Sequence, residues 1–394
     1  MKEVTKILTF CLHKIPSVTL GVIAVLEELN RQNKIEYRFK ESIQVQPSDI
    51  AWADIVIAVR SSEEVEKVII EQAKQFNRYV IYFLDDDLLN IPSDSASSAY
   101  FEQPGIRDNM KQIMRLADIL WTTNINIQEK YNSFFKESFT TKVPIEVNNL
   151  GIYEDRNSKK ITIGFAGSID HGNFTHYLLE DVVKDILAQY GDKVQFEFFG
   201  CKPQFVDKIN QVTHIPYEND YIKYRETIIS RKWDIGLAPL IDSEFHRCKY
   251  FNKYIEYASV GVCGIYSDLQ PLNFIVKNKI NGILVKNKKE DWENALIMLI
   301  EDENLRSIIR KNSYQEVKQK FNSRVIASEL EEKVKNITTF KAMDIQEHQV
   351  KLISPTNHRI TLIKRYLKEY KLKAPFVIGV KLIKKIKNKL VIKK

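Results

Sequence analysis

The stretch Trp233–Asp268, WDIGLAPLIDSEFHRCKYFNKYIEYASVGVCGIYSD, decides how the rest of the chain is read. An apolar run ends at Pro239 and a polar loop comes next. A helix is expected from about Tyr250 to Ser259, stopped by the C-cap-type residue Gly261, and then an apolar run over Val262 to Tyr266. Strand, helix and strand in succession are the unit of a parallel sheet. On that helix Lys249, Lys253 and Glu256 are spaced i, i+4, i+7, which gathers two ammonium groups and a carboxylate on one face. Phe251, Tyr254, Ile255 and Ala258 are left to pack on the other. Cations near a strand end suit a diphosphate, and a carboxylate suits the paired hydroxyls of a ribose. A solvated face, with Lys253 and Glu256 forming a surface pair worth under about 1 kcal/mol, has the same spacing. Spacing alone leaves both readings open.

Outward from this stretch the same rhythm recurs. Toward the N-terminus, runs at Ile7 to Cys11, Ile35 to Tyr37, Ile55 to Val59, Tyr79 to Leu84, Ile119 to Thr122 and Val143 to Val147 read as strands. Helical patterns separate them at about Val18 to Leu29, after Ser62, near Arg107 to Leu116 and near Ile125 to Phe134. Asn148-Asn149 reads as a turn, and Asp155 to Lys160 as a polar linker. The rhythm then restarts with Ile161 to Phe165, a helix over Tyr177 to Tyr190, Val194 to Phe199, Trp233 to Leu237 and later Gly282 to Val285. Two doubly wound α/β domains in series, facing a cleft, are predicted: 1–154, then 155–322, with a crossover helix over 323–340 and a basic tail over 341–394.

Size and charge agree with that division. At 394 residues the chain exceeds what a single core usually organises. Cys11, Cys201, Cys248 and Cys263 lack metal-type spacing, and Cys11 and Cys263 fall within apolar runs, which points to a reducing compartment. The N-terminal run Ile7 to Leu12 is interrupted by His13 and Lys14 and reads as a core strand, not a signal peptide. No segment reaches the roughly 18 to 20 apolar residues of a spanning helix. The net charge of +8 is concentrated after Lys351, so the basic balance describes a tail and not a nucleic-acid-binding body.

The stretch Tyr82–Asn90, YFLDDDLLN, places Asp85, Asp86 and Asp87 directly after an expected strand. Oxygen-rich clusters suit divalent cations, so an Asp-x-Asp metal site is one reading. An acidic run that ends a buried strand and caps the next turn of chain is another. Since ligands in open parallel sheets sit beyond the carboxyl ends of strands, a third has these carboxylates facing a cleft as proton acceptors or hydrogen-bond acceptors. His13, after the first strand, is a rival candidate for the same chemistry.

The segment from Trp233 to Asp268 resembles the nucleotide-sugar half of GT-B glycosyltransferases of the retaining group, in which a strand, a loop with Phe and Lys, and a helix bearing Lys and Glu succeed one another. IGFAGSIDHGNF, Ile163 to Phe174, is similar to the opening strand and glycine loop of that domain, and INGILVKNKKEDWENALIMLIED to its closing turn, strand and helix. The resemblance implies that Glu256 binds the donor ribose and that Lys249 contacts phosphate, with Phe245 and Lys253 beside them. Gly167, Ser168 and the backbone near Leu272 would cradle the diphosphate. The chain departs from the pattern at Cys248, where many retaining members carry a second glutamate. It departs again at Gly261-Val262-Cys263-Gly264, and in lacking the Arg/Lys pair after the first strand, where His171 is nearest. A fold that holds its donor with cations and helix N-termini needs no metal, so no metal ion or cofactor is expected and Asp85 to Asp87 are assigned to the acceptor side of the cleft.

The C-terminal run FVIGVKLIKKIKNKLVIKK places Ile383, Ile386 and Leu390 at helical spacing among lysines, as in an amphipathic helix lying in a membrane interface. The expectation is a metal-independent glycosyltransferase that moves a sugar from a nucleotide-sugar donor to a glycan or lipid-linked saccharide acceptor in surface-polysaccharide assembly. It would work in the cytoplasm, peripheral on the inner face of an anionic membrane. A nucleotide-sugar epimerase and an inactive membrane-tethered scaffold are the alternatives.

Overall fold

The computed structural model describes residues 4–95, 97–147, 160–168 and 172–370. Two six-stranded sheets organise it, and every strand pairing within them is parallel. The first contains β1 (Thr5–Cys11), β2 (Ile35–Glu41), β3 (Ile55–Val59), β4 (Tyr79–Leu84), β5 (Ile119–Thr122) and β6 (Glu137–Thr140), in the order β2-β1-β3-β4-β5-β6. β3, in the middle of the sheet, is apolar throughout because helices cover both faces, and all five of its residues are buried. The second contains β7 (Ile161–Gly167), β8 (Val194–Gly200), β9 (Val212–Ile215), β10 (Ile235–Ala238), β11 (Cys263–Ser267) and β12 (Ile283–Val285). Its order, β9-β8-β7-β10-β11-β12, is the doubly wound order of a dinucleotide-binding domain.

One expected strand is not a strand. Val143 to Val147 runs without sheet pairing, and the last strand of the first sheet is β6. Val143 and Ile145 are apolar because they are buried in the passage between domains. There the Ile145 amide donates to Phe321 O at 2.8 Å and the Val143 amide to the Tyr250 hydroxyl at 3.0 Å. The Asn148-Asn149 turn and residues 155–159 of the expected linker lie outside the described residues.

After the second domain the chain returns to the first. In the helix Ser323–Lys333, Ile326 and Leu330 belong to the same buried cluster as Leu26 and Leu29 of the helix Ala24–Arg31, and Lys34 pairs with Glu331 at 2.6 Å. The segment beyond residue 340, expected as tail, begins as a strap on the first domain. The Ala342 amide donates to Asp54, Arg78 donates to Met343 O at 2.8 Å, and Val350 is buried in the domain's core. A helix, Pro355–Tyr370, comes after the strap.

Candidate functional site

The carboxyl ends of the strands of both domains contribute to one region. At the end of β7, Gly167 meets Gly200 of β8 so closely that a Cβ on Gly200, whose φ is +86°, would lie 2.2 Å from Gly167 O. Only glycine fits there, and the two strand ends leave a floor of bare backbone. Above this floor a cleft of about 240 Å³, near the low end for ligand pockets, is lined by Gly167, Ser168, Lys253 and Glu256 of the second domain and by Pro16 and Leu20 of the first. Leu20 is carried by a π-helical turn, Thr19–Ile23, a local irregularity of a kind common at functional sites.

Lys253 and Glu256 are not a solvated face. Lys253 Nζ donates to Glu256 Oε2 at 2.8 Å and to the Tyr224 hydroxyl at 3.1 Å, and that hydroxyl donates to the same Glu256 oxygen at 3.0 Å. Tyr224 is fixed by stacking on Phe199 with centroids 5.1 Å apart. The Glu256 side chain keeps 12% of its surface exposed, toward the cleft. Burial lowers the Lys253 pKa, but the charge and hydrogen bond of Glu256, with Tyr257 nearby, together outweigh it and hold the ammonium above its ordinary value. The cleft therefore presents a fixed cation, a carboxylate and bare backbone, a set that matches a phosphorylated ribose.

Lys249 is elsewhere. The helix begins at Asn252, so Lys249 precedes it and does not share its face. Its ammonium lies over the Phe245 ring, 4.7 Å from the centroid, and 3.9 Å from Asp86 of the other domain. The polar loop that carries it docks on the first domain. Asn124 Nδ2 donates to Arg247 O at 2.9 Å and Lys249 O at 2.6 Å, Lys130 pairs with Glu244, and Cys248 is buried with the core of the first domain. Burial, with Asp87 nearby, pushes the Cys248 thiol up to about 11. At the position where many retaining members carry a second glutamate, this chain has an apolar plug between domains.

The three aspartates have different places. Asp87 is fully buried; its Oδ1 accepts from the Tyr131 hydroxyl and from Asn90 at 2.9 Å, and its Oδ2 from Lys130 at 2.7 Å. It does not point into the cleft as expected, and its geometry is that of a structural carboxylate. Asp85 and Asp86 both bind Arg60, whose Nη2 donates to Asp86 Oδ2 at 2.6 Å and whose Nε hydrogen-bonds Asp85 Oδ1. Burial raises the Asp86 pKa, but Arg60 and then Lys249 outweigh it and hold the carboxyl below its ordinary range. His246 is near this group, with Nδ1 2.7 Å from Ser243 Oγ; burial and the Lys249 charge push its pKa down to about 4.

Of the remaining candidates, His13 is exposed on the loop after β1, where its carbonyl accepts from Cys11 Sγ at 2.9 Å. Leu272 begins the short helix Leu272–Ile275 with its side chain buried in the same core as Tyr254 and Tyr266, and it does not line the cleft. Phe245 serves Lys249 and not the cleft. His171 lies outside the described residues. Arg60, Tyr224, Asn124 and His246 were not singled out from the sequence. For Arg60 there was a signal, a cation at the end of an apolar strand, whereas Tyr224 sits in a helix 32 residues from its partner and carried none.

No protein-family model and no curated relative matches the chain. Among solved structures it is similar to HepE of Anabaena in complex with UDP-glucose, at a TM-score of 0.58 and 14% identity, covering 85% of this chain and 100% of that one. It is also similar to sucrose-phosphate synthase from Thermosynechococcus elongatus, at a TM-score of 0.60 and 14% identity over 84% and 99% of the two chains. A glycosyltransferase from Rickettsia africae gives a TM-score of 0.55 at 14% identity over 86% and 99%. With two parallel-sheet domains meeting at a cleft, and with these neighbours, the chain has the GT-B fold of glycosyltransferases.

Proposed function

We propose that the protein is a glycosyltransferase that binds a nucleotide-sugar between Gly167, Ser168, Lys253 and Glu256 and transfers the sugar to a hydroxyl of a saccharide acceptor. The observation that carries this reading is the Lys253–Tyr224–Glu256 triad beside the bare backbone at Gly167 and Gly200. Glu256 would accept hydrogen bonds from ribose hydroxyls, while Lys253 and the strand-end amides would hold the diphosphate. HepE, one of the structural neighbours, was solved with UDP-glucose, which supports a donor of that chemistry.

In the reaction the bond between the anomeric carbon and the diphosphate oxygen breaks, and the acceptor oxygen bonds to that carbon. The diphosphate leaves with the bonding pair, and its charge is met by Lys253. Lys249, reaching across the domain boundary, adds positive charge from the acceptor side. The acceptor hydroxyl donates to the Asp85–Asp86 pair, and as its oxygen bonds to the anomeric carbon its proton passes to the departing diphosphate. Arg60 donates to both carboxylates, which fixes them as hydrogen-bond acceptors that orient the hydroxyl. Arg60 also supplies the positive charge that an Asp-x-Asp cluster would otherwise draw from a divalent ion, so the reaction is taken as metal-independent. We assign the acceptor to lipid-linked saccharides of surface-polysaccharide assembly at the cytoplasmic face of a membrane, a reading supported by the lysine-rich C-terminal sequence; Ile383, Ile386 and Leu390 lie outside the described residues.

A thermal-shift screen against uridine, adenosine, guanosine and cytidine diphosphates tests the donor site, since a ligand that binds only the folded state raises apparent stability by mass action. One of the four is expected to raise Tm with a saturating concentration dependence. No shift with any of them, or with the corresponding nucleotide-sugars, would contradict the reading.

A further inference from the structure

The helix Pro355–Tyr370 is turned the unusual way round. Its inner face carries His358, buried, and Arg365, which donates through Nη2 to Glu63 Oε1 at 3.0 Å. Its outer face carries Ile360, Ile363 and Leu367, which are 46%, 45% and 51% exposed. At about 100° per residue these three fall within an arc of roughly 60°. Arg359 and Lys364, both exposed, flank them. A surface helix ordinarily turns such residues inward, and an apolar stripe left facing out marks a contact surface.

The place of the helix matters as much as its face. Glu63, held also by the Tyr100 hydroxyl at 2.8 Å, precedes the helix Glu64–Gln75, just beyond the carboxyl end of β3. Arg60, three positions earlier, is the residue that clamps Asp85 and Asp86. The outward stripe is therefore fastened to the cleft-facing end of the first domain.

We infer that the outer face of the helix Pro355–Tyr370 is a membrane-contact surface that seats on an anionic bilayer and holds the Asp85–Asp86 end of the first domain toward the lipid. The charge pattern selects this occupant. Arg359 and Lys364 border the stripe, and residues 371–394 contribute nine lysines and no acidic residue. A second copy of the chain would bring two such basic segments together, whereas an anionic leaflet complements them, each lysine near it contributing about 1 kcal/mol. The inference deepens the acceptor assignment above, since a lipid-linked acceptor would then emerge beside Arg60.

The test uses the full chain and sucrose-loaded vesicles of phosphatidylcholine, with and without phosphatidylglycerol. The parent is expected to sediment with the anionic vesicles only. The triple variant Ile360→Ser, Ile363→Ser, Leu367→Ser should bind them about tenfold or more weakly, with its melting temperature and nucleoside diphosphate affinity unchanged. Separately, Ile363→Trp should add tryptophan fluorescence that brominated acyl chains quench. Vesicle binding by the triple variant equal to the parent's, an unquenched Ile363→Trp signal, or loss of a dimer instead of vesicle binding would each overturn the inference. Failure of the parent to bind nucleoside diphosphates would instead contradict the donor reading and leave the vesicle result to stand by itself.

Discussion

Arg60 joins Asp85 and Asp86 into one charge group from a backbone that an L-residue rarely adopts, with φ of 50°. Left-handed backbone at a non-glycine residue costs about 1–2 kcal/mol and persists when surrounding contacts over-determine it. Here the contacts are the two carboxylates and a backbone bond from the Arg60 amide to Phe83 O at 2.9 Å. Arg60→Ala and Arg60→Gly should both lose stability, by about 3 kcal/mol or more, because two largely buried anions are left without their partner. The alanine variant should be the less stable of the two by about 1 kcal/mol, since only glycine relieves the backbone. Urea unfolding of both variants measures this, and equal stabilities would show that the backbone is not strained.

Asp87 and its neighbours separate structure from function. Asp87→Ala leaves the buried Tyr131 hydroxyl without its acceptor and Lys130 with Glu244 alone, and a loss of about 3 kcal/mol is expected, with nucleoside diphosphate affinity unaltered. Asp85→Asn and Asp86→Asn should cost less stability, retain donor binding and lower the rate of sugar transfer. If Asp87→Ala melts like the parent, the buried network is not as described.

His246 gives a pH dependence with a definite sign. Its pKa is lowered from 6.5 to about 4, first by burial and then by Lys249, so the unfolded chain binds a proton in this window that the folded chain refuses. Its contribution to stability is full above about pH 6.5 and falls as the pH drops toward 4. His246→Asn should flatten that part of the stability profile. Lys249→Met should move the imidazole titration upward in an NMR experiment. An imidazole that titrates near 6.5 in the parent would contradict the burial of this group.

Much of the architecture was legible because parallel strands buried on both faces advertise themselves as β-branched runs. β3, β4 and β5 have the bounds their sequences suggest. Val143 to Val147 misled because burial between domains selects the same residues as burial in a sheet, and only hydrogen bonding tells the two apart. The face bearing Lys253 and Glu256 could be read from a three-residue spacing. Lys249 could not be separated from it, since the helix start at Asn252 is set by the docking of the preceding loop on Asn124. Arg60 and Asp86, 26 residues apart, become partners only because β3 and β4 are neighbours in the sheet, which no local pattern states.

The donor site is the central claim, and calorimetric titration of Glu256→Ala and Lys253→Ala with a nucleoside diphosphate and with the bare nucleoside tests it most directly. Loss of charge-assisted hydrogen bonds worth about 1.5–3 kcal/mol should lower the affinity of Glu256→Ala for both ligands by roughly ten- to a hundred-fold, because both contain the ribose. Lys253→Ala should weaken the diphosphate far more than the nucleoside, because only the diphosphate presents phosphates to the ammonium. If both variants bind both ligands as the parent does, Lys253, Tyr224 and Glu256 are a structural triad and the nucleotide is held elsewhere.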